Sequence, residues 1–158
     1  AFSHTERGCG SFSLQFAVSC PGYWLQLNRF VLVRPPLAGN AFDIYALGLP
    51  PLLEPETRSA PLSLFSTVQV EQEERLTIPD GYSVVAMPDP VQLQNGPFRL
   101  QLSCRLDGGR IVWNSLLSVD TALVDPSAYQ ELRRTVQAWQ RSQQAYIILE
   151  NSTPGGRS

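Results

Sequence analysis

The amino-acid sequence predicts a mainly β protein: an antiparallel β-sandwich closed by one C-terminal amphipathic α-helix and a short final strand. Three observations predict it. Apolar and polar residues alternate in several separate stretches, the two-residue period of half-buried strands. Proline and glycine punctuate those stretches and mark turns and crossings. Near the C-terminus the period lengthens once, to that of a helix face.

In chain order, Phe12, Leu14, Phe16 and Val18 alternate with small or polar residues from Ser11 to Ser19 and predict a strand. Pro21-Gly22 breaks it, and Tyr23 to Val33 resumes, with Tyr23, Leu25 and Leu27 on one face and Trp24 opposite. From Phe30 to Val33 both faces are apolar, which predicts a strand covered on both sides. Ala41 to Leu49 is apolar but only loosely periodic and reads as a further strand. Pro50, Pro51, Pro55 and Pro61 mark an extended connector, where a two-part organisation would divide near residues 50–61. Leu62 to Val70 and Leu76 to Ile78 read as strand, followed by the turn Pro79-Asp80-Gly81 and a strand from Tyr82 to Met87. Phe98 to Leu106 has the strictest alternation; Asp107-Gly108-Gly109 signals a hairpin, and Arg110 to Val119 is its partner.

The helix follows. Asp125 is read as its N-cap and Pro126 as a first-turn residue. Tyr129, Leu132, Val136 and Trp139 recur at steps of three, four and three, a stripe that fastens the helix to a sheet. The helix is expected to end near Gln143, with a short strand from Tyr146 to Leu149. Residues 1–150 then form one domain, and Asn151 to Ser158 a flexible tail.

The chain has 158 residues, 43% of them hydrophobic and 16% charged, enough to bury a core without metal or disulfide staples. Its net charge is −2 and its 12 basic residues are all arginine, scattered along the chain. No basic face for nucleic acid follows from that distribution, and no apolar run approaches the ~20 residues of a membrane span. The start, Ala-Phe-Ser-His, has neither methionine nor the features of a leader, which predicts a segment of a longer protein.

No complete active-site constellation can be assembled from these residues. His4 is the single histidine and falls in a terminus expected to fray, so a pairing with nearby Cys9 lacks a scaffold. Cys9 and Cys20 would bridge in an oxidising compartment and leave Cys104 free, or all three serve as small buried hydrophobes. One histidine and three dispersed cysteines give no zinc spacing. Glu71, Glu73 and Glu74, with Asp80 nearest, are the acidic candidates for calcium; charges that protect a strand edge are the simpler reading. Phosphate-binding glycine loops are absent, and no cofactor is implied. Asn151-Ser152-Thr153 matches a glycosylation acceptor. Of the three tryptophans, Trp113 and Trp139 fall on apolar faces, which leaves Trp24 as the binding candidate.

The second half resembles the C-terminal module of bacterial transglutaminase-like proteins, itself a domain of unknown function. The matching stretches are Arg58-Ser59-Ala60-Pro61-Leu62, Leu76-Thr77-Ile78-Pro79-Asp80-Gly81-Tyr82, Met87-Pro88, the hairpin that begins at Phe98, Asp125 through Arg133, and Ile147-Ile148-Leu149. The likeness implies a β-sandwich downstream of a papain-like cysteine domain with a Cys-His-Asp triad. No residue here occupies that triad. It also implies an exported protein, periplasmic or extracellular, in which a Cys9–Cys20 bridge is admissible. Three functions follow as expectations. The first is a non-catalytic accessory module whose partner is a catalytic domain of the same parent chain or another protein. The second is a stand-alone glycan- or protein-binding sandwich, and the third a hydrolase whose carboxylates meet only in space.

Overall fold

A computed structural model describes residues 22–34, 49–64 and 66–152, together with the single positions Ser13, Gln15, Ala17 and Ser19. The elements in order are β1 (Leu25–Leu27), β2 (Phe30–Val33), the single turn α1 (Leu49–Leu52), β3 (Leu62–Ser63), β4 (Val68–Thr77), β5 (Tyr82–Ala86), β6 (Val91–Asn95), β7 (Phe98–Asp107), β8 (Arg110–Val119), β9 (Leu123–Val124), α2 (Tyr129–Ser142) and β10 (Ile147–Asn151). All sheet pairings are antiparallel. They build a four-stranded sheet β4-β8-β7-β6, a second four-stranded sheet β1-β2-β10-β5, and the short pair β3-β9, a mainly β, sandwich-like arrangement with one principal helix.

The β7–β8 hairpin organises the long sheet. Gly108 and Gly109 both take positive φ, 53° and 75°, which a two-residue hairpin turn demands of both central residues. That turn sets the register Asp107↔Arg110 through Phe98↔Val119. With β4 and β6 added in register, Val68, Val70, Leu76, Val91, Leu93, Phe98, Leu100, Leu102, Ile111, Trp113, Leu117 and Val119 share one face.

That single face carries two cores. At one end Phe98, Leu100, Leu117 and Val119 pack beneath Tyr129, Leu132, Val136 and Trp139 of α2, with Leu49, Leu53, Leu62, Leu64 and Val124 completing the cluster. At the other end Ile111, flanked by Leu76 and Cys104, packs against Val31, Val33, Ile147 and Leu149 of the second sheet. The helix packs on one end of this face and the second sheet on the other.

A strap from the proline-rich connector clamps the N-terminal half of α2. Tyr129 is fully buried, and its hydroxyl donates to the Pro55 carbonyl at 2.7 Å. The Arg58 guanidinium donates to the Leu52 carbonyl at 2.9 Å and lies 5.4 Å over the Tyr129 ring. Gln130 donates to the Glu56 carbonyl and Arg133 to the Leu53 carbonyl. These contacts satisfy carbonyls that the prolines leave without a sheet partner.

Several boundaries differ from the sequence reading, each for a physical reason. Asp125 does not cap α2: the helix begins at Tyr129 after Ala128, and no side chain caps it. The Asp125 carbonyl instead accepts from the Ala128 N–H at 3.0 Å. Asp followed by Pro is equally the opening of a β-turn, and here the turn prevails. Tyr23 to Val33 is a hairpin, not one strand; Asn28 takes φ 57° at its turn. Leu62 to Val70 divides into β3 and β4, which enter different sheets. Strands β6 and β9 were not anticipated, although Asn95-Gly96 is a turn signal with Gly96 at φ 55°. Leu49 opens the one-turn α1, where the backbone nitrogens of Pro50 and Pro51 need no intrahelical acceptor. Asn151 belongs to β10 and not to a tail; its N–H donates to the Arg29 carbonyl. Ser13, Gln15, Ala17 and Ser19 lie in no strand. Phe12, Leu14, Phe16, Val18, the stretch 41–48 and the tail 153–158 lie outside the described residues.

Candidate interaction surface

The second sheet has an apolar face turned inward and another turned outward. Register alone assigns them. Val31, Val33, Ile147 and Leu149 point into the second core, so their alternates Phe30, Leu32 and Ile148 point away from it. On the edge strand Leu25 pairs with Leu32, and Leu27 with Phe30. Leu25-Leu32-Ile148 therefore run as a row across three strands, with Leu27-Phe30 beside it. Nothing among the described residues covers this face: Leu25 is 53% and Leu27 50% exposed.

The exposure settles one orientation and corrects one expectation. The apolar stripe Tyr23, Leu25 and Leu27, which alternation alone places on one face without saying which, is exposed. The doubly apolar run Phe30 to Val33 was read as covered on both sides, yet Phe30 and Leu32 are only half-buried. Trp24, just before β1, is 44% exposed, with Tyr23 beside it at 39%.

Polar contacts frame the face. Arg29 pairs with Glu150 at 3.0 Å and lies 4.9 Å over the Phe30 ring. Arg34 stacks 4.4 Å over the Tyr146 ring and donates to its hydroxyl. Both pairs are solvent-facing, so their value is placement and not stability. An apolar centre with aromatic neighbours and an arginine rim is the composition of a protein-binding patch.

The other candidates are not brought together. Glu71 and Glu73 project from the outer face of β4, whereas Glu74 points to the opposite face. Glu73 is engaged by Arg75 at 2.7 Å, and Asp80 lies in the turn before β5. Among the described residues no three acidic, histidine or cysteine side chains converge as metal ligands, and the four acidic calcium candidates are not brought together there. Strand geometry is the reason: adjacent residues cannot share a face. His4, Cys9 and Cys20 lie outside the described residues. Of the stripe on α2, Tyr129, Leu132, Val136 and Trp139 are all buried against the long sheet.

A cavity of about 420 Å³ opens between the C-terminal end of α2 and the long sheet, lined by Leu93, Leu102, Cys104, Trp113 and Ala138, with Asp89 and Arg141. Burial pushes the Cys104 thiol above its ordinary pKa, the direction that deprives it of thiolate and of nucleophilic power. In a Cys9→Ser, Cys20→Ser variant, alkylation of Cys104 by iodoacetamide at neutral pH is expected to be slower in the folded chain than in urea. Faster labelling in the folded state would show an activated thiol and refute this account.

No helix among the described residues is long and apolar enough to cross a membrane. Curated proteins give no match to the chain. Among solved structures, the chain is similar to a "putative protease" from Parabacteroides distasonis ATCC 8503, with a TM-score of 0.64 and 14% identity over 78% of this chain. It spans 24% of that protein, so the likeness is one of fold. The sequence also matches a family described as a domain of unknown function with a solved structure, DUF3858, over residues 31–149. That match runs from the second strand to the last and takes in both cores, the strap and the helix; the chain belongs to the DUF3858 family.

Proposed function

We propose that this chain is a non-catalytic accessory module of a larger bacterial transglutaminase-like protein, docked to the parent's catalytic domain through the outer face of β1, β2 and β10. In that position it shapes access of substrates or partners. The observation that carries this reading is the outward apolar face: Phe30 to Val33 is patterned for burial on both sides, and the described residues supply only one cover. Desolvating Leu25, Leu27, Phe30, Leu32 and Ile148 against a partner would bring about 25 cal/mol per Å² of apolar surface removed from water. The size relation supports the same reading, since the similar Parabacteroides chain is much longer than this one.

Among the described residues, the cavity beside α2 is lined by one carboxylate, Asp89, fewer than the two that glycoside hydrolysis by an acid–base pair needs.

Trp24→Ala, Leu25→Ser and Leu27→Ser, combined in the full-length parent, are expected to raise hydrogen exchange in β1 and β2 and to alter activity on large substrates more than on small ones. The same substitutions in the isolated chain should change its stability by less than about 0.5 kcal/mol each, as exposed positions do. Unchanged exchange and unchanged activity in the parent would overturn the docking role.

A further inference from the structure

The long sheet has a second face, opposite both cores, that is mostly polar, with Val112 and Leu116 its apolar residues on β8. Residues in register across its four strands form the row Gln92-Gln101-Leu116-Glu71. The neighbouring row places Ser103 beside Asn114 and Glu73. Gln92, Gln101, Ser103, Asn114, Leu116 and Glu71 line a groove of about 500 Å³, within the roughly 300–1,000 Å³ of small-molecule sites.

We infer that this groove binds a neutral oligosaccharide. Each glutamine amide and each serine hydroxyl offers both a donor and an acceptor, the pairing that a sugar hydroxyl also presents. Several other polar side chains of this face are engaged with one another. Arg99 donates to Gln94 at 2.8 Å. Asn114, in the amide orientation that satisfies both its neighbours, donates to Glu73 at 3.1 Å and accepts from Arg105 at 2.9 Å. Those contacts fix the groove's border, whereas Gln92, Gln101 and Ser103 are exposed at its centre. Leu116 lies half-buried among them and gives an apolar floor for the C–H face of a pyranose ring. Glu71, at the end of the row, accepts from a sugar hydroxyl. The site is separate from the apolar face of the second sheet, so it stands or falls independently of the docking role.

The test is a nitrogen-15 titration of the chain with neutral malto-, cello-, xylo- and manno-hexaoses. At least one sugar is expected to shift the side-chain amide signals of Gln92 and Gln101 and the backbone signals of Ser103 and Leu116. Gln101→Ala is expected to weaken that binding about tenfold, which corresponds to about 1.4 kcal/mol, with an unchanged melting temperature. Gln92→Ala, on the edge strand, gives a second reading by the same measure. No shift with any of the sugars at millimolar concentration would overturn the inference. Shifts confined to Tyr23 and Trp24 would overturn it as well, by moving sugar binding to the other surface.

Discussion

Trp139→Ala is expected to destabilise the chain by about 3–5 kcal/mol, the range for truncating a large buried aromatic, with a fall in melting temperature of roughly 6–20 °C. Trp139 is 1% exposed and lies within the larger core with Leu132, Val136, Leu100 and Leu102. Its removal leaves a hole under the last turn of α2 that rigid strands on the facing side cannot fill. The conservative variant sharpens the expectation. The indole Nε1 of Trp139 is buried and has no hydrogen-bond partner among the described residues, and an unsatisfied buried donor costs about 1–3 kcal/mol. Trp139→Phe loses some packing and abolishes that cost, so its net effect is expected to fall below about 1.5 kcal/mol. Chemical denaturation of both variants measures the difference. If phenylalanine proved as costly as alanine, the indole N–H would have to be making a bond in solution, and the packing account would fail.

The face of α2 that Trp139 closes was legible in the sequence because helical periodicity names the residues that share a stripe, and a chain with one such stripe has one place to bury it. The β7–β8 hairpin was legible for a similar reason: strict alternation on both arms and two glycines at the turn leave one register. The end of the helix that meets Asp125 was not, because Asp-Pro opens a cap and a turn alike. Strand β6 carries a fainter signal of the same kind: Val91 and Leu93 alternate with Gln92 and Gln94 before Asn95-Gly96, but the run is only five residues long.

The interaction surface was half legible, and the missing half has one cause. Alternation divides a strand's residues between two faces but does not say which face meets the core. For β1 the alternation leaves the facing of its apolar stripe open, and the structure turns it outward. What decides is the neighbour. Val31 and Val33 occupy the core, their alternates must face away, and β1 inherits its orientation from that pairing. The doubly apolar pattern of β2 was the available signal: it marks Phe30 and Leu32 as apolar on the face that the described residues leave half-buried. Trp24, singled out because it opposes the stripe, is exposed, since β1 lies at the sheet's edge and is uncovered on both sides. The glutamine row was invisible for a different reason: Gln92, Gln101, Leu116 and Glu71 come from four strands, and only the register aligns them.

Leu149→Asp is expected to release the second sheet while leaving the larger core folded. Leu149 is 2% exposed and sits between Val31 and Val84 of the flanking strands. A carboxylate there has no partner among its neighbours Val31, Val33, Ile111 and Ile147, so it must be hydrated or remain protonated. The penalty therefore exceeds the roughly 2–5 kcal/mol of a Leu→Ala truncation. The smaller core has few buried residues over which to spread that cost. The larger one is anchored separately, through the helix stripe and by the strap of Arg58, Tyr129 and Arg133. Hydrogen exchange on the variant is expected to show protection lost in β1, β2, β5 and β10 and kept in β6, β7, β8 and α2, the signature of an independent cooperative unit. Loss of protection in α2 and β7 as well would show that both cores melt as one. The partition also separates the two surfaces: this substitution should abolish docking through Leu25 and Leu27 while the groove at Gln101 keeps its shape.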